Sequence, residues 1–161
     1  MKKLNSLDDY KKLRESLTAG RKDGIPTIVI PAGTCGRASG ADDLIRTSEK
    51  EILAKRLEEK VRLRVTGCHG FCQMEPSVLI EPSRTFYPRV TPDVMVRIID
   101  AVSSGEVLRD ALFKEEKSGK FIEKQDDIPF FKNQMRSILA GNERVDPTRI
   151  FDCIETGGYS A

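Results

Sequence analysis

The chain has 161 residues, 39% of them hydrophobic, which suffices for one compact domain with appended segments but not for two full domains. Its 27 Lys and Arg nearly cancel 25 Asp and Glu, so no strong field favours nucleic acid, and the basic residues read as ordinary solvated surface. The apolar runs fall far short of the ~20 residues that a membrane helix needs, and the N-terminus "MKKLNSLDDY" has no apolar signal core. A cytoplasmic protein without direct membrane insertion is therefore expected.

The stretch "SLDDYKKLRESL" places Leu7, Tyr10, Leu13 and Leu17 at helical spacing behind Ser6 as N-cap, predicting a helix over about residues 6–19. "TIVIPAG" then reads as a buried strand, and the Gly-rich "AGTCGRASGA" as a loop. A second helix is predicted from Asp42 to about Lys60, with Leu44, Ile45, Ile52, Leu53 and Leu57 on its apolar side. "VRLRV" alternates like a half-buried strand and runs into "TGCHGFC". "SVLIEP" and "TFYPRV" follow as short strands joined by a turn, with Pro88 arguing for an edge position. Thr91 and Pro92 open a helix that Gly105 ends. The order α-β-α-β-β-β-α predicts a thioredoxin-like α/β fold, a mixed sheet of about four strands with flanking helices. From about residue 113 a charged stretch reads as a solvated linker, and a helical extension follows with "DPTRIFDCIETGGYSA" as its last helix.

Four cysteines without an export signal point to metal or redox chemistry rather than a disulfide scaffold. Cys68 and Cys72 sit in a turn with Gly67 and Gly70, and Cys35 occupies the corresponding loop after the first strand, 33 positions earlier. In the expected topology both loops leave the carboxyl edge of adjacent parallel strands, where open α/β sheets build their sites. Three thiols would then converge. A thioredoxin-type dithiol needs two intervening residues at a helix N-terminus, whereas three intervene here, and a structural zinc site would be one ligand short. Thiolates on glycine-rich loops suit an iron-sulfur cluster, with backbone N–H donors from Gly33, Gly36 and Gly70, although the common case needs four ligands. Burial as small hydrophobes and a cluster-free role stay open.

His69, the one histidine, is expected to face solvent, since adjacent residues in an extended loop point apart. Cys153 reads as ordinary helix packing. Phe71 and Met74 would either shield a cluster or fill the core beneath the loop, and Arg37 would either offset thiolate charge or lie at the surface.

"AGTCGRASGA", "TGCHGFCQMEP", "VTPDVMVRIIDAV" and "FFKNQMRSILAGNERVDPTRIFDCIETGGYSA" resemble the N-terminal part of the flavin-binding, NADH-oxidising subunit of complex-I-like and NAD-linked hydrogenase or formate dehydrogenase complexes. The resemblance spans about residues 25–161. Residues 1–24 are assigned to the N-terminal helix read above, and the resemblance implies a thioredoxin-like [2Fe-2S] ferredoxin domain over 25–113 and a linker with the truncated start of a flavin-binding domain over 114–161. It also implies Cys35, Cys68 and Cys72 as cluster ligands, and other subunits of a multisubunit oxidoreductase as partners. FMN, NAD and a [4Fe-4S] cluster would belong to a downstream region, so no catalytic activity is expected of this chain alone. The family's first loop carries two cysteines five positions apart, which would require one at Ile30 or Gly40; this sequence resembles a variant branch with a single first-loop cysteine.

Overall fold

The computed structural model describes residues 3–21 and 24–160. Its central element is β1 (Thr27–Pro31), a run of β-branched residues buried along its whole length. On one side β1 pairs in parallel with β2 (Arg62–Thr66), with Pro31 opposite Thr66. On the other it pairs antiparallel with β3 (Val78–Glu81), which in turn pairs antiparallel with β4 (Thr85–Tyr87). The sheet order is β2-β1-β3-β4. Pro88 thus follows an edge strand, as expected. The backbone of Glu123–Gln125 partly covers that edge, with Phe86 N donating to Glu123 O at 2.9 Å.

Among the described residues, four α-helices accompany the sheet up to residue 103. The first, α1 (Leu7–Arg21), begins where Ser6 Oγ accepts from Asp9 N at 3.1 Å. A short α2 (Thr34–Ala38) forms inside the segment expected to be loop, and α3 (Ala41–Ala54) follows. The α3 helix stops well before Lys60, because Arg56 takes a left-handed conformation and the chain turns. In α4 (Pro92–Ser103), Thr91 caps the first turn by accepting from Val94 N at 3.4 Å. Ile28, Ile30, Val78, Ile80 and Tyr87 on one sheet face pack with Leu44, Ile52, Met95, Ile98 and Ile99 of α3 and α4 into the main core.

A second, aromatic cluster gathers around Phe86: Phe71, Phe113, Ile128 and Phe131, flanked by Met74, Ile122 and Phe130. Part of it comes from the charged stretch read as a linker. That stretch instead forms a small hairpin, β5 (Phe113–Lys114) with β6 (Phe121–Ile122), followed by α5 (Pro129–Lys132). Its scattered apolar residues are what fix it to the domain. The last helix, α6 (Ile150–Glu155), packs on α1, where Tyr10 Oη donates to Gly158 O at 2.6 Å. No helix among the described residues is long and apolar enough to cross a membrane.

Candidate metal centre

Because β1 and β2 run in parallel, the segments that follow them leave the same sheet edge. Ala32 N extends the pairing to Thr66 O at 2.9 Å, so the two segments separate only after that point. Cys35 is then carried on α2, and Cys68 and Cys72 on the turn after β2. The segments touch: a β-carbon placed on Gly33 would lie 3.0 Å from Cys68 Cβ. Gly36 is buried under the end of β1, where a β-carbon would lie 2.4 Å from Pro31 O. These two glycines therefore permit the close approach that brings the thiols together.

Cys68 and Cys72 place their sulfurs 3.7 Å apart. Two thiolates on one tetrahedral metal, with bonds of about 2.3 Å, would stand about 3.8 Å apart. Gly70 N donates to Cys68 Sγ at 3.2 Å, from a backbone conformation with φ +91° that glycine adopts without cost. The neighbouring Cys35 thiol, loss of solvent and then Cys68 push the Cys72 thiol up to about 12. Clustered thiols resist losing successive protons because each new thiolate raises the local negative charge; a bound cation relieves that repulsion. Cys35 and Cys72 are exposed and Cys68 is half-buried.

Among the described residues, no group of three or more His, Cys, Asp or Glu closes around one ion. A [2Fe-2S] cluster asks for a pair of terminal ligands at each iron. Cys68 and Cys72 meet that spacing, and Cys35 supplies a third sulfur. The donor set thus fits three of four terminal positions.

His69 is the main correction to the sequence reading. It is 1% exposed, not solvent-facing, and its Nε2 lies 2.9 Å from Thr66 Oγ1, while Nδ1 has no hydrogen-bond partner. Burial pushes its imidazole down to about 4, so it is neutral near pH 7. The charges that act on it are those of Glu143, Arg136 and Arg84. Arg37 donates to Ala32 O at 3.1 Å and pairs with Asp42 at 2.5 Å, an exposed pair at the foot of α2. Cys153 packs against Gly158, where a β-carbon would meet its sulfur at 2.3 Å.

Residues 133–145 supply contacts that sequence patterns did not signal. Asn142 Nδ2 donates to Cys68 O at 3.1 Å and Arg136 Nη2 to His69 O at 2.7 Å. Leu139 lies over Gly70 and Asn142 over Gly67, in space a side chain would occupy. Arg136 and Arg84 both pair with the nearly buried Glu143 carboxylate, and Arg84 also reaches Asp126 at 2.9 Å. Burial alone would raise the Glu143 carboxyl, but hydrogen bonds and charge from the two arginines outweigh it and hold the group below its ordinary range.

The sequence matches no established protein-family profile. Over 68 residues, 42% of this chain and 67% of the relative, it is 29% identical to a 2Fe-2S ferredoxin of Clostridium pasteurianum. Its structure is similar to that of the wild-type thioredoxin-like [2Fe-2S] ferredoxin from Aquifex aeolicus, with a TM-score of 0.52 and 17% identity over 56% of this chain and 98% of that one. A second structure of a thioredoxin-like [2Fe-2S] ferredoxin from that organism gives a TM-score of 0.50 and 18% identity over 61% of this chain and 98% of that one. At such identities the likeness speaks for the fold, and the fold is the thioredoxin-like α/β arrangement expected from the order of elements.

Proposed function

We propose that this chain is an electron-transfer module in which Cys35, Cys68 and Cys72 hold a [2Fe-2S] cluster that exchanges electrons with a flavin-binding, NADH-oxidising subunit of a multisubunit oxidoreductase. The observation that carries this reading is the meeting of two segments 33 positions apart, with Gly33 against Cys68 and Cys35 beside Cys72. The names of the relatives support the electron-transfer role. When bound, such a cluster supplies one-electron redox chemistry. Gly70 N–H would draw electron density from Cys68 Sγ, and Phe71 in the aromatic cluster would keep water from one side. The exposed Cys35 and Cys72 lie on the side open to a partner. Gly33 and Gly36 serve by allowing close approach.

We assign residues 25–113 to the core of the cluster domain and 114–161 to an extension that packs on it and leads into a flavin-binding domain. FMN, NAD and a [4Fe-4S] cluster are assigned outside these residues. A second reading, a cluster-free docking domain within the same type of complex, is favoured by one observation: only three cysteines belong to the two segments.

Anaerobic purification or reconstitution separates the two. The cluster reading expects brown protein with roughly two iron and two sulfide per chain, lost in Cys35→Ser and kept in Cys153→Ser. Protein that stays colourless and iron-free after reconstitution would favour docking.

A further inference from the structure

We propose that Arg136 tunes the electron density on Cys68 Sγ through a single peptide group, the one joining His69 to Gly70. The carbonyl of that peptide, His69 O, accepts from Arg136 Nη2 at 2.7 Å, and its amide, Gly70 N, donates to Cys68 Sγ at 3.2 Å. In a planar trans peptide the C=O and N–H point in opposite directions, so a donor gripping the oxygen aims the hydrogen at the sulfur. A charged donor also polarises the peptide and strengthens the bond at its far end, because hydrogen bonds in a chain reinforce one another in a low-dielectric setting.

The grip is held in place from behind. Arg136 is largely buried, with 17% of its side chain exposed; it pairs with Glu143, which Arg84 fixes in turn. Its guanidinium lies 5.5 Å from the centre of the Phe131 ring. Asn142 holds the preceding carbonyl, Cys68 O, so two successive peptides of the turn are fixed from one segment. The side-chain-free Gly67 and Gly70 let that segment come close. Arg136 is thus a positioning residue acting through the backbone, with no contact to sulfur of its own.

This inference rests on the cluster reading for its electrochemical consequence but not for its geometry. Hydrogen bonds to the sulfurs help set cluster potentials. Arg136→Met removes both donor and charge, and the reduction potential of the reconstituted protein is expected to fall. Arg136→Lys, keeping a charged donor, is expected to lie between wild type and Arg136→Met. Arg84→Met removes a like charge that is paired with the same carboxylate but is not bonded to the peptide, and its shift should be the smaller. Equal shifts for Arg84→Met and Arg136→Met would overturn the proposal in favour of a general charge effect.

Hydrogen exchange at the Gly70 amide in cluster-free protein gives a readout that needs no metal. It should quicken by roughly 10-fold or more in Arg136→Met, as expected when one charge-assisted hydrogen bond is lost. Unchanged exchange would overturn the proposal even if no cluster ever assembled. If wild type binds no iron while the amide responds, the function fails and the grip stands. Should Arg136→Met not fold, Arg136→Lys carries both measurements against wild type.

Discussion

Gly33 and Cys68 meet with no spare space: a β-carbon on Gly33 would stand 3.0 Å from Cys68 Cβ and 3.3 Å from Cys68 N. The Gly33 backbone has φ −67°, which any residue adopts, so the contact alone demands glycine. Gly33→Ala is expected to push the two cysteine segments apart by a few tenths of an ångström, costing about 1–3 kcal/mol as overpacking does. Urea unfolding and iron per chain after reconstitution should both report the loss. Gly36→Ala should cost more, because the obstacle at 2.4 Å is the Pro31 carbonyl, which cannot turn aside as a side chain can. Equal stability of wild type and both variants would show that the segments are loosely joined.

Of the two roles left open for Phe71, the structure shows the filling of the core beneath the turn. Phe71 stacks on Phe130 at 4.1 Å between ring centres with planes 5° apart, and meets Phe131 edge-on at 5.4 Å. It also sits one residue before Cys72, so the same side chain that builds the aromatic cluster anchors the turn. Phe71→Ala should cost about 3–5 kcal/mol by thermal or urea unfolding, the range for a buried aromatic truncated to alanine. A loss below about 1 kcal/mol would mean that the cluster is not a cooperative part of the fold.

The strands and α4 were legible because their signals are local. β-branched runs bounded by Gly and Pro, and Thr91-Pro92 ahead of an apolar-striped helix, carry their own instructions. The α2 helix was not, since "TCGRA" has no helical pattern; it forms where Gly36 lets the chain tuck under Pro31 O, a tertiary effect. Phe113 and Ile122 were hidden among charges, and they find partners only around Phe86 and Phe71, which are distant in sequence. The meeting of the cysteine segments followed from parallel pairing of β1 and β2. The grip of Arg136 and Asn142 on the turn did not, because it depends on carbonyl directions that residue types do not encode.

His69 escaped the alternation rule because that rule holds for extended chain, whereas here the next residue, Gly70, is in a left-handed conformation and the imidazole lies buried. Its bond goes to Thr66, not to a thiol, so it is expected to be a packing residue. His69→Ala should lose about 2–4 kcal/mol of stability, as a large-to-small change at a fully buried site does. The visible absorption of the reconstituted protein should be retained, still that of sulfur-ligated iron. A folded variant whose absorption is lost or strongly altered would make His69 a ligand.

The Glu143 carboxylate ties the segment that grips the turn to the rest of the domain, and its ionisation gives that tie a pH dependence. The folded protein holds its carboxyl below the ordinary 4.5, as the pull of Arg84 and Arg136 exceeds the opposing effect of burial. A depressed carboxyl contributes stability that is fully present above the unfolded value and disappears as pH falls through the folded one. Glu143→Gln should therefore be less stable than wild type at pH 7, and the gap should narrow as pH drops below 4.5, where wild type itself gains a neutral, glutamine-like side chain. Urea midpoints of the cluster-free proteins across that range provide the comparison. A gap that stays constant into the acid would show that the pairing of Glu143 with the two arginines contributes nothing that depends on its charge.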